Sequence, residues 1–124
     1  MSHFTTIKVQ IKQGEVLLDV LQELGYQVEQ NTQVRGYRGD TINAEYVIRQ
    51  ANGYDLGFRK NGEGYELVAD FWGAEINQQE FVNNISQKYA HKTLMKTIQT
   101  EGFNVEEEEV LADGTLRVIV GKWV

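Results

Sequence analysis

Two arginines three positions apart, Arg35 and Arg38, stand in the stretch VRGYRGD (34 to 40) of a chain whose acids outnumber its bases by 18 to 12. Each guanidinium is a planar fork suited to a carboxylate or a phosphate, and Gly36 and Gly39 permit left-handed backbone or close main-chain approach. In a strand the two side chains would point to opposite faces, so only a turned loop lets them converge. A phosphate cradle, a partner-docking loop around Arg35, Tyr37 and Arg38, and a bent connection whose arginines hold the chain's own acids are the readings open to this stretch. The phosphate-loop template itself is not met, because no strand, glycine-rich turn and helix follow in that order.

Further along, Tyr46, Arg59 and Trp72 fall in strand-like segments. A sheet face carrying them could stack nucleobases or receive a protein partner, unless another part of the chain covers it. His3 and His91 stand alone with no second ligand at metal spacing, and the chain has no cysteine, so no metal site, thiolate chemistry or disulfide is expected. Neither a nucleophile elbow nor a dinucleotide fingerprint occurs, no cofactor is expected, and catalysis has no better footing than Asp55, Asp70 and Glu75 near the sheet. Glu106 to Glu109 alternate across a strand, so at most two could act together; a solvated edge that discourages further pairing is the plainer reading. Lys88, Lys92 and Lys96 would form a basic stripe on an unbroken helix.

The elements that must position these residues follow from periodicity. Ile7, Val9 and Ile11 alternate with polar residues, which predicts a strand over 5–11. Val16, Leu17, Val20, Leu21 and Leu24 form an amphipathic helical stripe stopped by Gly25, and Tyr26 to Glu29 reads as extended. Asn52-Gly53 and Asn61-Gly62 separate three strand-like runs, predicting a three-stranded antiparallel meander with two-residue type I′ turns. That register puts Val47, Tyr54, Leu56, Phe58, Tyr65, Leu67, Ala69 and Phe71 on the core face. Tyr46, Ile48, Asp55, Gly57, Arg59, Glu66, Val68, Asp70 and Trp72 then fall on the other. Asp113-Gly114 predicts a second, C-terminal hairpin. Within 77–101, Phe81, Val82, Ile85 and Tyr89 lie opposite Leu94, Met95 and Ile98, which predicts a break or kink at Tyr89 to Lys92. Residues 21–29 echo 98–106 as helix end, glycine, aromatic and strand start. A true repeat would favour a ferredoxin-like plan.

At 124 residues and 41% hydrophobic content the chain fits one domain, 1–124, of the α+β class: an antiparallel sheet with two to three helices on one face. It contains no apolar run of membrane-spanning length and no signal-peptide pattern at its start. A net charge of −6 argues against broad electrostatic capture of nucleic acid or anionic lipid.

The segments SHFTTIKVQIK, VRGYRG and GYDLGFRKNGEGYELVADFWG, with the closing GF-V-EEE pattern, together resemble the hypothetical chloroplast reading frame thirty-five family of cyanobacteria and algal plastids. The resemblance covers nearly the whole chain. It implies a cytoplasmic location, in a cyanobacterial cytoplasm or plastid stroma, and supplies no catalytic residues. The sequence thus points to a non-enzymatic accessory or interaction domain with a protein partner contacted through Arg35, Tyr37, Arg38, Arg59 and Trp72. The alternative is single-stranded RNA or a nucleotide phosphate, with Tyr46 and Trp72 stacking bases.

Overall fold

Among the described residues, seven strands and two α-helices follow one another as β1 (Thr5–Val9), α1 (Gly14–Glu23), β2 (Val28–Arg35), β3 (Thr41–Ile48), β4 (Leu56–Asn61), β5 (Gly64–Ala69), α2 (Gln78–Thr100), β6 (Phe103–Val110) and β7 (Leu116–Lys122). A computed structural model describes residues 3 to 122, Lys122 by its backbone alone. The class is α+β, as the periodicity predicts. Five strands form one sheet in the order β1-β5-β4-β3-β2 with every neighbour antiparallel, and β6 and β7 form a separate hairpin. Strands β2 to β5 are thus a continuous meander, while β1 and β2 close opposite edges and α1 connects them.

Both helices pack on one face. Val16, Leu17, Val20 and Leu21 of α1 and Phe81, Ile85 and Tyr89 of α2 meet Ile48, Leu56, Phe58, Tyr65, Leu67 and Ala69 of the sheet. The start of α1 has no side-chain cap of its own; the Tyr89 hydroxyl accepts the Lys12 and Gln13 amides at 3.1 and 2.9 Å. At its end Gly25 is left-handed, and the Gly25 and Tyr26 amides return to Gln22 and Leu21, closing a Schellman turn. Gly102 ends α2 in the same left-handed way. The echo is therefore a local one of helix, glycine and strand. It does not extend to the sheet: β2 joins the five strands whereas β6 pairs with β7 outside them, so the ferredoxin-like plan is not adopted.

Two further expectations are corrected. Helix α2 runs unbroken over 23 residues. Its two apolar sets need not share one core, because Phe81, Ile85 and Tyr89 face the sheet while the helix also packs against the β6–β7 hairpin. Lys88 and Lys92 of its basic stripe both grip Glu23 of α1, at 3.3 and 2.6 Å. The second correction is register. Asn61 pairs with Gly64, so the β4–β5 turn is centred one residue later than expected, on Gly62 and Glu63; this keeps the faces. The β3–β4 connection, in contrast, is a loop over 49–55 and not a two-residue turn. Tyr46 pairs with Phe58 and Ile48 with Leu56, an offset of one that moves Tyr46 and Ile48 to the core face and Val47 to the other.

That other face is covered. Strand β3 stays in ladder pairing with β4 only over Tyr46 to Ile48; beyond it the Lys60 amide of β4 donates to the side-chain carboxylate of Glu45 in β3. The β2–β3 hairpin curls back, so that Val34, Ala44 and Val47 form a second small core with Phe4 and Ile42. Gly57 makes this possible: a Cβ there would lie 2.2 Å from Val34 Cγ2.

Candidate functional site

The curl carries the VRGYRGD stretch from the edge of the sheet to the ends of β4 and β5. Arg35 closes β2, Tyr37 to Gly39 form one 3-10 turn, and β3 begins at Thr41. The Gly36 amide bonds the Asp40 carbonyl across this turn at 2.9 Å. Arg35 and Arg38 separate here. Arg35 turns onto Asp55, donating from Nε at 2.7 Å and Nη2 at 2.9 Å, and its main-chain amide adds a third bond at 3.0 Å. Arg49 Nη1 and the Gln50 amide bring the donors on this fully buried carboxylate to five. Burial alone would raise the Asp55 carboxyl, but Arg35, the Gln50 and Arg35 amides and Arg49 together hold it well below the usual aspartate range. Arg35 therefore holds the fold's own acid, one of the readings open to this stretch in the sequence.

Arg38 points elsewhere. Its guanidinium sits 5.1 Å from the Tyr37 ring centre, and the His3 ring stacks on Tyr37 at 4.4 Å and 6°. Trp72, just beyond β5, meets Tyr37 at 6.4 Å and 86° and His3 at 5.9 Å and 80°, while remaining 81% exposed. Asp70 holds the two loops together. Fully buried, it accepts the Tyr37 amide on Oδ2 at 3.0 Å and the Trp72 amide on Oδ1 at 3.2 Å. Its carbonyl takes the Gly73 and Ala74 amides of the following turn. The arrangement is a surface patch of three rings and a guanidinium, fixed by one internal carboxylate. Such a patch can bind by stacking, by cation–π contact and by a forked bond to an anion.

Tyr37, Arg38 and Trp72 are thus brought together, and Arg35, Tyr46 and Arg59 are not part of the patch. Tyr46 packs at the core beside Tyr65, 5.9 Å between ring centres, and the Tyr65 hydroxyl is pushed up to about 12 by burial and by its bond to Tyr46. Arg59 is paired across the ladder with Glu66, at 2.9 Å from Nε and 2.6 Å from Nη2, and holds that carboxyl below its usual range. Asp55 and Asp70, read as a footing for catalysis, are both fully buried with their carboxylates on N–H donors, which leaves neither open to a solvent-borne substrate. His3 and Asp70 are the residues that the sequence did not connect with Tyr37, Arg38 and Trp72 as one site. The signal for Asp70 was an acid ending the apolar run Leu67-Val68-Ala69, immediately before two aromatics.

Fold and patch define an α+β protein with an exposed cluster of aromatic rings beside the end of β5. The chain belongs to the family described as "Protein of unknown function (DUF1257)", whose model matches residues 20–119. It is 35% identical to "Uncharacterized protein ycf35" of Guillardia theta, over 99% of this chain and 98% of that protein. Proteins of the same name from Cyanophora paradoxa and Pyropia yezoensis are each 29% identical over 99% of this chain and 98% of their own length. No solved structure matches the chain.

Proposed function

We propose that the protein is a non-enzymatic docking domain that receives a protein partner on the patch formed by Tyr37, Arg38 and Trp72. The observation that carries this is Trp72, a large apolar side chain left 81% exposed, with its main-chain amide bonded to buried Asp70 and its ring edge-on to Tyr37 and His3. Exposed tryptophan, tyrosine and arginine held in place are the residue types that dominate binding energy at interfaces, because they present area without losing much conformational freedom. The family resemblance supports a setting in a cyanobacterial cytoplasm or plastid stroma. Among the described residues, no helix is long and apolar enough to cross a membrane.

The experiment is affinity capture from lysate of the native organism with wild type, Trp72→Ala and Tyr37→Ala proteins in parallel. A specific band lost in both variants, whose melting temperatures stay near wild type, is the expected result. A band retained by Trp72→Ala, or no specific band with wild type, overturns the reading.

A further inference from the structure

Of the five arginines, Arg35, Arg49, Arg59 and Arg117 are each paired with a carboxylate of this chain. Arg38 makes no such pair among the described residues, although acids are in surplus by 18 to 12. It stands exposed at the tip of the β2–β3 turn with φ 52° and ψ 36°, a left-handed conformation unfavourable to any side chain bearing a Cβ. Tyr37 holds its guanidinium at 5.1 Å, so the fork is oriented before anything binds.

We propose, resting on the docking reading above, that the partner segment places a single carboxylate on Arg38 and an apolar, aromatic or proline side chain against the indole of Trp72. An isolated carboxylate fits better than a polyphosphate backbone on grounds of charge. Nucleic-acid affinity grows with the number of phosphates neutralised, whereas Arg35 and Arg59 are already engaged and the whole chain carries −6. One pre-oriented fork beside one open indole supplies one forked ion pair and one apolar contact. The same net charge disfavours a strongly acidic partner. The segment is therefore one lone acid in neutral or basic surroundings.

Random heptapeptides displayed on phage, selected on the immobilised full-length chain with Trp72→Ala as counter-target, test this directly. The expected peptides share one Asp or Glu next to a proline, leucine or aromatic residue. They should bind Arg38→Gln about ten-fold more weakly. Replacing the peptide's carboxylate by its amide should abolish that difference. Trp72-dependent peptides without an acid, or with unchanged affinity for Arg38→Gln, overturn the carboxylate assignment and leave the docking reading intact. Absence of any Trp72-dependent peptide overturns both. A fluorescein-labelled oligouridylate that binds more tightly than the peptides, and loses binding in both Trp72→Ala and Arg38→Gln, replaces the peptide by single-stranded RNA.

Discussion

Asp55 and Asp70 are both sealed from solvent, and they meet the cost of a buried carboxylate in different ways. Asp55 is matched by two guanidinium groups as well as amides, whereas Asp70 accepts from the main chain of the two loops it joins. Because the Asp55 carboxyl is depressed in the folded chain, the unfolded chain binds its proton first as pH falls from neutrality. Its contribution is complete above the unfolded value near ~3.9 and is lost as pH falls below that towards the lower native value. Asp55→Asn should therefore lower stability by about 3 kcal/mol at neutral pH. It should also flatten the fall in stability below about pH 4, the remaining slope including Glu66, which is likewise depressed. Urea denaturation from pH 7 down to about pH 2 measures both effects. At this scale three members of the candidate patch, Tyr37, Arg38 and Trp72, were singled out in the sequence by residue type, and the structure places them together. The sequence did not display that Arg35 and Arg59 were engaged, because their partners lie on other strands or loops and only the tertiary fold brings the acids to them.

At the scale of elements, Gly57 and Val34 decide whether the β2–β3 hairpin can curl. The missing Cβ lets Val34 rest on the sheet, with Ala44 closing the contact from the side. Gly57→Ala should cost roughly 2 kcal/mol by overpacking, and Val34→Ala in the same chain should recover part of that loss, giving a coupling measurable by a double-mutant cycle from urea melts. The turn signals were read well where the strands meet directly: Asn61-Gly62 and Asp113-Gly114 both sit in observed hairpins. Asn52-Gly53 misled because Asn52 has other duties, accepting the Tyr54 amide and donating to the Gly73 carbonyl, inside a loop tied down by Asp55. One residue of register followed from that, and with it Tyr46 changed faces. The expected break in α2 failed for a related reason. Periodicity counts apolar faces but says nothing of how many separate surfaces a helix touches.

For the molecule as a whole, the five-stranded sheet and its two helices share one core, and the β6–β7 hairpin lies outside that sheet against α2. A hairpin of two strands has little stability alone; this one gains what it has from α2, including His91 against Glu108 and Gln87 against the Gly114 carbonyl. Val110, Leu111, Ile119 and Val120 remain exposed on it. Hydrogen exchange followed by mass spectrometry should show amides of 103–122 exchanging well ahead of those of 56–69, with the hairpin opening below the free energy of global unfolding. Equal protection of the two regions would mean that hairpin and sheet open as one unit.

The position of β1 has a consequence for how the chain is made. Its partner β5 lies 64 residues further on, Thr5 against Ala69. At typical elongation rates of ~5–20 residues per second, β1 waits roughly 3 to 13 s after its synthesis for its partner in the sheet. Thr6 and Lys8 keep that waiting segment polar on alternate positions, while β2, β3 and β4 can zip together in the order they emerge. The strand of this sheet made earliest is thus the last to be seated, and the arrival of β5 is the event that completes the sheet.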